Sequence, residues 1–484
     1  MNQCTVKLKN VKKVYEGRTL FEIDELSAYI GDKIAIIGNN GAGKSTLLKI
    51  INNDITPDSG DVMIDESFNY LAQIAEPRVI DETIDFELLS RFNVPNNNQL
   101  SGGEQTKLRI IEAISTYKMG LLLDEPTTHL DKDSIDLVIE QLEYYYGTLI
   151  FVSHDRHFIN KIANKIWEVK EGKVNVFNGN YDEFLEKKEL EKKTLEAKSE
   201  TIQKERARLT NAATKQQAYA NKLGDYNKSQ AKSHNVGRLA QSKQKDTVQK
   251  NAHKKAKAIE SRLEQLEEID VPEASRIIKF PMKQSEMLHN KFPIIAQDLS
   301  IKRGDKLLLE NVSFQLPFGK TIAITGPNGT GKSSLLYEIL NNDDIEKSPK
   351  LNIITYKQMD YKIGSTESIL SYIMNASGQE EPLVRSVLDR LNFNQTELNK
   401  SVSDISGGEA TRLTLALLFL KRSNVIILDE PTNFIDITTI NALEDFIKGY
   451  QGMIILVSHD RAFVDNVADV IYTIEDKKLK LVKN

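Results

Sequence analysis

The 484-residue sequence predicts an α/β fold in which two tandem copies of one domain are joined by a long antiparallel α-helical hairpin. Several short motifs occur twice in the same order, which indicates a duplicated domain. Between the two sets lies a polar segment, residues 181–271, that lacks proline and has apolar residues at helical spacing near its ends. We therefore expect domains at residues 1–180 and 285–484, with the helical linker at residues 181–284.

Composition restricts the class of protein before any motif is considered. Hydrophobic residues make up 40% of the chain and charged residues 27%, as in ordinary globular proteins. The single cysteine, Cys4, excludes an intrachain disulfide framework and the usual cysteine-based zinc or iron–sulfur sites. No apolar run approaches the ~18–20 residues that cross a bilayer, and the first residues have no signal-peptide pattern. We expect a cytoplasmic protein.

The repeated motifs keep nearly constant separations. The offset is 288 residues between Lys44 and Lys332, and 305 residues between Asp124 and Asp429. The difference of 17 residues predicts an insertion in the second copy, between its first and second motifs.

The first motif of each copy is a glycine-rich phosphate-binding loop (P-loop) of the form GxxxxGK[ST], between an apolar strand and a helix-forming segment. Such a loop directs backbone N–H groups at phosphates, while its lysine reaches the β- and γ-phosphates and its hydroxyl ligates Mg²⁺. Two matches, each in this context, make a chance occurrence negligible. The residues predicted to contact nucleotide are Gly38, Asn39, Asn40, Gly41, Ala42, Gly43, Lys44, Ser45 and Thr46, and Gly326, Pro327, Asn328, Gly329, Thr330, Gly331, Lys332, Ser333 and Ser334.

Each copy also has an apolar strand that ends in Asp-Glu. Asp124 and Asp429 are predicted to hold Mg²⁺. Glu125 and Glu430 follow one residue later, where a carboxylate can polarise the attacking water. The number of residues from the P-loop lysine to this aspartate is the same in both copies once the 17-residue insertion is subtracted. This equal spacing argues against an incidental acidic turn.

Two further motifs complete each set. A Ser-Gly-Gly sequence before a helix presents backbone N–H groups to a phosphate. A histidine after a later apolar strand is more often structural, but its repetition within SHDR favours a γ-phosphate contact. The predicted residues are Ser101, Gly102, Gly103 and His154 in the first copy, and Ser406, Gly407, Gly408 and His459 in the second.

This order of motifs resembles the nucleotide-binding domain of the ATP-binding cassette (ABC) family over nearly 400 residues. The resemblance implies an ABC-type fold and two ATP sites at which the cassettes close head to tail, each P-loop facing the Ser-Gly-Gly signature of the other cassette. It also implies a Q-loop, a D-loop and an adenine-stacking position, at Gln73 and Gln358, Asp131 and Asp436, and Tyr15. The expected cofactors are ATP and Mg²⁺, with the metal held by Ser45, Gln73, Asp124, Ser333, Gln358 and Asp429.

The second copy departs from this pattern at two places. Lys302 and Arg303 stand where the adenine-stacking aromatic is expected, and arginine also stacks on a base. The second signature reads ISGGEA instead of LSGGEQ. We therefore expect the two ATP sites to be unequal.

Two cassettes separated by a long charged helical hairpin resemble the ABC-F family, whose members are translation factors and antibiotic-resistance proteins that bind ribosomes. The resemblance implies a linker that enters the tRNA exit site, near large-subunit rRNA and P-site tRNA, with its tip close to the peptidyl-transferase centre. The short separation of Gln73 from Ser101, 28 residues, and the segment at residues 236–243 resemble the antibiotic-resistance branch. Its expected drugs are pleuromutilins, lincosamides and streptogramin A, with macrolides as a further class.

The tip of the linker is predicted by the same likeness at residues 234–241. The residues expected to lie near the ribosomal drug site are His234, Val236, Arg238, Leu239 and Gln241. Residues 201–260 carry 14 Lys/Arg against 4 Asp/Glu, in a chain of net charge −5. This one-sided excess favours contact with RNA phosphates over a solvated spacer.

Three alternatives remain. A housekeeping ABC-F translation factor would bind the ribosome in the same way without affecting drugs. The ATPase subunit of a membrane exporter has no use for the hairpin, and DNA-bound cassette ATPases carry coiled coils inside one cassette. We expect a monomer in which the two cassettes pair within one chain.

Overall fold

A computed structural model gives the conformation of most of the chain. The residues that it describes are 3–15, 17–72, 84–95, 100, 102–128, 130–230, 254–255, 257–259, 261–262, 278–280, 288, 290–304, 306–356, 365–433 and 435–483. They form two compact units, one of residues Met1–Asp182 with Arg276–Asn484 and the other of Glu183–Ser275. Both predicted cassettes thus belong to the first unit, while the domain limits at 180 and 285 stay predictions.

The N-terminal cassette is built around a mixed sheet with the strand order β4-β1-β2-β9-β8-β3-β7-β6-β5. Its strands are β1 (Cys4–Tyr15), β2 (Arg18–Tyr29), β3 (Lys33–Gly38), β4 (Ser59–Ile64), β5 (Phe68–Leu71), β6 (Gly120–Asp124), β7 (Thr148–Val152), β8 (Lys165–Lys170) and β9 (Lys173–Asn178). Its helices are α1 (Lys44–Ile51), α2 (Phe86–Arg91), α3 (Gly102–Ser115), α4 (Lys132–Glu143) and α5 (Arg156–Ile162).

The C-terminal cassette has sheets of order β11-β10-β13 and β14-β15-β16-β12-β17-β18. Its strands are β10 (Ile294–Arg303), β11 (Lys306–Leu316), β12 (Thr321–Thr325), β13 (Glu346–Lys347), β14 (Ile353–Tyr356), β15 (Val425–Asp429), β16 (Met453–Val457), β17 (Val470–Glu475) and β18 (Lys478–Lys483). Its helices, numbered after the linker helix α6 (Tyr181–Gln230), are α7 (Lys332–Asn341), α8 (Ile369–Ser377), α9 (Glu381–Arg390), α10 (Gly407–Leu420), α11 (Ile437–Gly449) and α12 (Arg461–Val467).

The central strands of both cassettes are parallel and apolar throughout. β6 and β7 are buried at every residue, as is β16, because helices cover both faces of such a sheet. Each P-loop strand has the same neighbours: β3 lies between β7 and β8, and β12 between β16 and β17. The predicted fold of tandem ABC-type cassettes is confirmed. Parallel strands bring their carboxyl ends to one edge, so the predicted motifs lie together there.

The predicted insertion matches extra helices in the second cassette. Between β14 and the signature helix α10, the described residues form α8, α9 and two short 3₁₀ turns. The described residues between β5 and α3 of the first cassette form α2. The phosphate-binding edges therefore stay alike, while the helical region beside the signature differs.

The linker begins with α6, whose 50 residues correspond to ~75 Å of helix. The pairs Glu189–Lys193 and Glu200–Lys204, at 2.7 and 2.6 Å, support it at the favourable i,i+4 spacing. Residues 223–243 are rich in glycine, asparagine and serine, which predicts that the helical pattern breaks there. This prediction is wrong for residues 223–230, because the helix continues to Gln230. A single glycine costs a long helix only ~1 kcal/mol. In the part of the linker predicted to form the second helix of the hairpin, residues 254–255, 257–259 and 261–262 are helical. The predicted tip at 234–241 lies outside the described residues.

Among the helices that the structure describes, none combines the length and the apolar character needed to cross a membrane.

Candidate nucleotide-binding sites

Both P-loops require glycine where the backbone approaches a neighbouring strand. Gly38 has φ +151°, and a Cβ there would lie 2.4 Å from the carbonyl oxygen of Val169. Gly326 has φ +140°, and its Cβ would lie 2.8 Å from the carbonyl oxygen of Ile474. A side chain at either position would force the loop away from the sheet. The two loops therefore have the same shape, set by the same constraint.

The P-loop lysines are buried and point back into their own loops. Lys44 Nζ donates to the carbonyl oxygens of Gly38 at 2.8 Å and Asn39 at 3.1 Å. Burial lowers the pKa of Lys44, while nearby Glu125, Asp436 and Asp124 oppose this shift. The second loop repeats the contacts, from Lys332 Nζ to the carbonyl oxygens of Gly326 and Pro327 at 2.8 and 2.9 Å. A desolvated cation in a loop of the type whose backbone N–H groups bind phosphates fits a polyphosphate.

Each P-loop serine meets the aspartate at the end of the neighbouring strand. Ser45 Oγ donates to Asp124 Oδ1 at 3.1 Å, and Ser333 Oγ donates to Asp429 Oδ1 at 3.2 Å. Burial raises the pKa of both carboxyl groups, and the serine hydrogen bonds oppose this shift. A hydroxyl and a carboxylate beside a phosphate cradle are the oxygen donors that Mg²⁺ prefers, so these residues fit the predicted metal.

The glutamate after each of these aspartates adopts a left-handed backbone conformation, with φ +54° at Glu125 and +48° at Glu430. Each lies close to the predicted histidine: Nε2 of His154 is 3.3 Å from Oε1 of Glu125, and Nε2 of His459 is 3.2 Å from Oε1 of Glu430. Neither contact has hydrogen-bond geometry, and neither Oε1 atom has a hydrogen-bond donor among the described residues. Each buried oxygen is therefore able to accept a proton from water.

The protonation states suit that role. Burial raises the pKa of Glu125 to about 7 and that of Glu430 to about 7, although the P-loop lysines oppose the shift. Burial lowers the pKa of His154 to about 3 and that of His459 to about 4. A carboxylate that titrates near neutral pH matches a general base, and a neutral histidine is able to donate one hydrogen bond to a phosphate.

The cassettes complete each other's P-loops through reciprocal contacts. Asp436 Oδ2, from the second cassette, accepts a hydrogen bond from the backbone N–H of Asn40 at 2.7 Å. Asp131 Oδ2, from the first, accepts one from Asn328 N–H at 3.2 Å. Burial alone raises the pKa of Asp436, but the hydrogen bonds from Asn40 and Thr439 outweigh it and lower the pKa. Both aspartates also cap the helices that follow them, α11 and α4.

The signature of the second cassette lies against the first P-loop. Ser406 caps α10 in a reciprocal capping box with Glu409. A Cβ at Gly408 would lie 3.7 Å from Cβ of Asn40. We call the P-loop of the first cassette with this signature site I, and the P-loop of the second cassette with the signature helix α3 of the first site II.

A cavity of about 1580 Å³ spans both sites. The predicted residues that line it are Tyr15, Asn40, Gly41, Gly43, Lys44, Ser45, Thr46, Gly103, Glu125, Asp131, His154, Asn328, Gly329, Gly331, Lys332, Ser333, Ser334, Gly407, Gly408, Glu430 and His459. Gln73, Ser101 and Gln358 lie outside the described residues, as does the predicted linker tip.

The residue at the predicted adenine-stacking position differs between the two sites. Tyr15 and Arg303 end equivalent strands, pair with Arg18 and Lys306 in the same hairpin register, and both line the cavity. Tyr15 is 63% exposed, which leaves its ring available for stacking. Of the two basic residues predicted for the second cassette, Arg303 is therefore the one that faces site II.

Sequence reasoning missed several contributors. Thr438 Oγ1 donates to Asn39 Oδ1 at 2.8 Å across the cassettes. Lys306 and Leu308 line site II, and Leu20 lines site I at the position equivalent to Leu308. The 288-residue offset relates Leu20 to Leu308 and was sufficient to find this pair, whereas Thr438 has no signal within its own segment.

Comparison with protein families supports this geometry. Residues 22–78 and 309–433 match a family described as ABC transporter, and residues 167–280 match a second model with the same description. Among solved structures, one entitled RNase-L Inhibitor has a TM-score of 0.63 at 16% identity, covers 98% of this chain and 90% of that one, and shows the same fold.

Three curated relatives match nearly the whole chain. The erythromycin resistance ATP-binding protein MsrA of Staphylococcus epidermidis is 41% identical, with 97% of each chain covered. The ribosome protection protein VmlR of Bacillus subtilis is 32% identical, covering 96% of this chain and 85% of its own. The ATP-binding protein Uup of Escherichia coli is 29% identical, covering 95% and 79%. The chain therefore belongs to the ABC-F family of ATP-binding cassette proteins and is an ATPase.

Proposed function

We propose that this ATPase protects the bacterial ribosome from antibiotics of the peptidyl-transferase centre, by inserting its linker through the tRNA exit site and displacing the drug. The observation that carries the proposal is the reciprocal completion of the two sites, at Asn40–Asp436 and Asn328–Asp131. Because each site uses both cassettes, the nucleotide state controls the pairing of the chain segments on either side of the linker. Relatives named for ribosome protection and erythromycin resistance match the linker as well as the cassettes.

At each site the residues have separate tasks. Lys44 releases its loop carbonyls and binds the β- and γ-phosphates. Ser45 and Asp124 would hold Mg²⁺, which would neutralise phosphate charge. Glu125 accepts a proton from the attacking water, and His154 donates a hydrogen bond to the γ-phosphate. The second cassette supplies the facing signature at Ser406 and Gly408. Lys332, Ser333, Asp429, Glu430 and His459 have the same tasks at site II.

Closure on ATP holds the factor on the ribosome, and hydrolysis releases it. The basic face of the linker, including the exposed Lys215, binds rRNA phosphates in a salt-dependent way. Arg238 and Leu239 are the tip residues that we propose to approach the drug site.

Erythromycin, a macrolide, belongs first in the drug panel, because the 41% identical relative is named for resistance to it. Pleuromutilins, lincosamides and streptogramin A follow, as the resemblance to the antibiotic-resistance branch implies.

A housekeeping translation factor is the second candidate, and the similarity to Uup over 95% of this chain favours it. It shares the ATPase and the ribosome, and differs in having no effect on drugs.

Cell-free bacterial translation inhibited by each drug, with and without purified protein and ATP, separates the two. ATP-dependent rescue with at least one drug is expected. The Lys44→Ala/Lys332→Ala variant, which cannot hold the phosphates, is the matched control and should rescue nothing. If ribosomes that demonstrably bind the protein stay inhibited by every drug, the protection proposal fails and the housekeeping function stands.

A further inference from the structure

An ion pair joins the cassettes outside the phosphate-binding residues. Arg156 Nη1 donates to Glu444 Oε1 at 2.8 Å, and Arg156 Nη2 donates to Asn441 Oδ1 at 2.7 Å. The two charged side chains are only 12% and 9% exposed. Asn466 Nδ2 also lies 3.3 Å from both oxygens of Glu444, so this carboxylate is held from two sides. A buried pair with this number of hydrogen bonds fixes a geometry better than an exposed pair does.

The pair links two segments that already contact ATP-site residues. Arg156 is the first residue of α5, two positions after His154. Glu444 lies on α11, which begins directly after Asp436, and Asp436 binds the P-loop backbone at Asn40. Contacts and chain connections therefore link both sides of site I. They run from the P-loop to Asp436, along α11 to Glu444, across the ion pair to Arg156, and along the chain to His154.

Site II lacks this arrangement. At the 305-residue offset, Arg461 corresponds to Arg156 and Ile139 to Glu444. Arg461 is 63% exposed and pairs at 3.7 Å with Asp465 of its own helix. Asp136, at the position of Asn441, contacts His157 instead. Within the described residues, only one of the two equivalent arginines thus crosses between the cassettes.

We propose that Arg156 is a positioning residue of site I, which holds the His154–Glu125 pair against the second cassette and so makes site I the faster of the two ATP sites. Arg156 acts through His154, because its two terminal nitrogens donate to Glu444 and Asn441 and its Nε is buried away from solvent. Loss of the ion pair lets the segment from His154 to α5 move relative to α11. The chemical step then slows, while ATP still binds to an unaltered P-loop. This inference rests on the ATPase activity and is independent of ribosome binding.

The test compares Arg156→Ala with its matched control Arg461→Ala, each in the full chain, by steady-state phosphate release. Arg156→Ala should lower kcat about tenfold and leave KM for ATP within about twofold, whereas Arg461→Ala should change neither by more than about twofold. Equal effects of the two substitutions, or a loss expressed in KM alone, would overturn the proposal.

Charge reversal separates positioning from general damage. Arg156→Glu and Glu444→Arg alone should each lose activity, and the double variant should recover to within about threefold of the parent chain. No recovery, in variants whose thermal melting matches the parent chain, contradicts the proposal. If Arg156→Ala does not fold, Arg156→Lys keeps the charge and should fall between the parent chain and Arg156→Glu in kcat.

A double-mutant cycle assigns the effect to one site. Arg156→Ala should add little to the loss caused by His154→Ala, because both act on the same pair, and should add its full tenfold loss to His459→Ala. Equal additional losses in the two backgrounds would remove the assignment to site I.

Discussion

The two ATP sites have the same groups at their centres and different groups at their edges. In both, a P-loop lysine donates to loop carbonyls, a serine contacts an aspartate at 3.1 or 3.2 Å, and a glutamate lies 3.3 or 3.2 Å from a histidine. The base position differs, with Tyr15 in one and Arg303 in the other, and the contact between cassettes is 2.7 Å at Asn40 but 3.2 Å at Asn328. The duplicated domain has kept the groups that we propose to act on phosphate and has changed those at the position beside the adenine base and at the contact between the cassettes.

Removing the proposed general base from both sites should have the largest effect. Glu125→Gln with Glu430→Gln should lower kcat for ATP hydrolysis by at least ~100-fold, because a general base contributes ~10²–10⁴-fold. Of the single variants, Glu125→Gln should lose more activity than Glu430→Gln, since site I has the aromatic base position and the shorter contact between cassettes. Steady-state phosphate release measures all three. Equal losses of kcat in the two single variants would mean that the differing residues at the adenine position and between the cassettes have no influence on turnover.

The contact between cassettes should give the next largest effect. Asp436→Ala removes a charge-assisted hydrogen bond to Asn40 together with the cap of α11, and should weaken ATP-driven closure about tenfold. Asp131→Ala removes the longer bond to Asn328 and should weaken closure by less. Fluorescence transfer between labels on the two cassettes, titrated with ATP, measures closure. A larger effect from Asp131→Ala would reverse the ranking of the two contacts.

Substitutions beside the adenine base should change the affinity for ATP by a smaller factor. Tyr15→Ala removes a stacking surface worth ~1 kcal/mol or more, so ATP binding at site I should weaken about fivefold. Arg303→Ala removes a weaker cation–π contact and should weaken binding at site II about twofold or threefold. Arg303→Tyr should tighten site II. Binding of a fluorescent ATP analogue to the hydrolysis-deficient chain provides the measurement, and a stronger effect at Arg303 than at Tyr15 would contradict the order.

The smallest expected effect concerns stability and depends on pH. Burial, with a smaller contribution from the nearby Asp155, raises the pKa of Asp460 from 3.8 to about 6. Folding disfavours the charged form of Asp460, so its ionisation lowers the free energy of unfolding. This loss of stability develops as the pH rises from ~4 to ~6 and is complete above that range. Asp460→Asn keeps the cap to Phe463 and should add about 2 kcal/mol to the free energy of unfolding at pH 7.5.

At pH 4 the same substitution should have a much smaller effect, since the aspartate is then neutral in the folded chain and only about half ionised in the unfolded chain. Asp155, at the equivalent position, also has a pKa raised by burial, so Asp155→Asn should change stability in the same direction. Melting temperatures at the two pH values provide the check. A stabilisation of the same size at both would show that the charge is not its cause.

The sequence alone was sufficient to predict candidate site residues that belong to a short local motif. Lys44, Glu125 and His154 were predicted because each belongs to a local motif whose chemistry fixes the spacing, and repetition 288 or 305 residues later removed the ambiguity. The contact of Arg156 with Glu444 was not predictable in this way, because it joins residues 288 positions apart that belong to no common motif. It exists only because two cassettes pack together.

The end of the linker helix was misjudged for a related reason. Gly224 and its polar neighbours read as a break, yet α6 continues to Gln230. Composition measures the preference of each residue separately, whereas a helix already 40 residues long adds a further turn at little cost, because its nucleus is formed. The inserted helices α8 and α9 were predicted only as extra length, since an offset between repeats counts residues and does not describe their structure.

Ribosome binding by the hydrolysis-deficient chain tests whether closure of the cassettes on ATP holds the protein on the ribosome. The Glu125→Gln/Glu430→Gln variant is sedimented with bacterial 70S ribosomes in ATP, beside the Lys44→Ala/Lys332→Ala variant that cannot close on nucleotide. We expect the first variant to sediment with ribosomes in ATP and to stay in the supernatant without it, and the second to stay in the supernatant in both conditions. A glutamine variant that binds ATP yet remains free of ribosomes would contradict the link between cassette closure and ribosome binding.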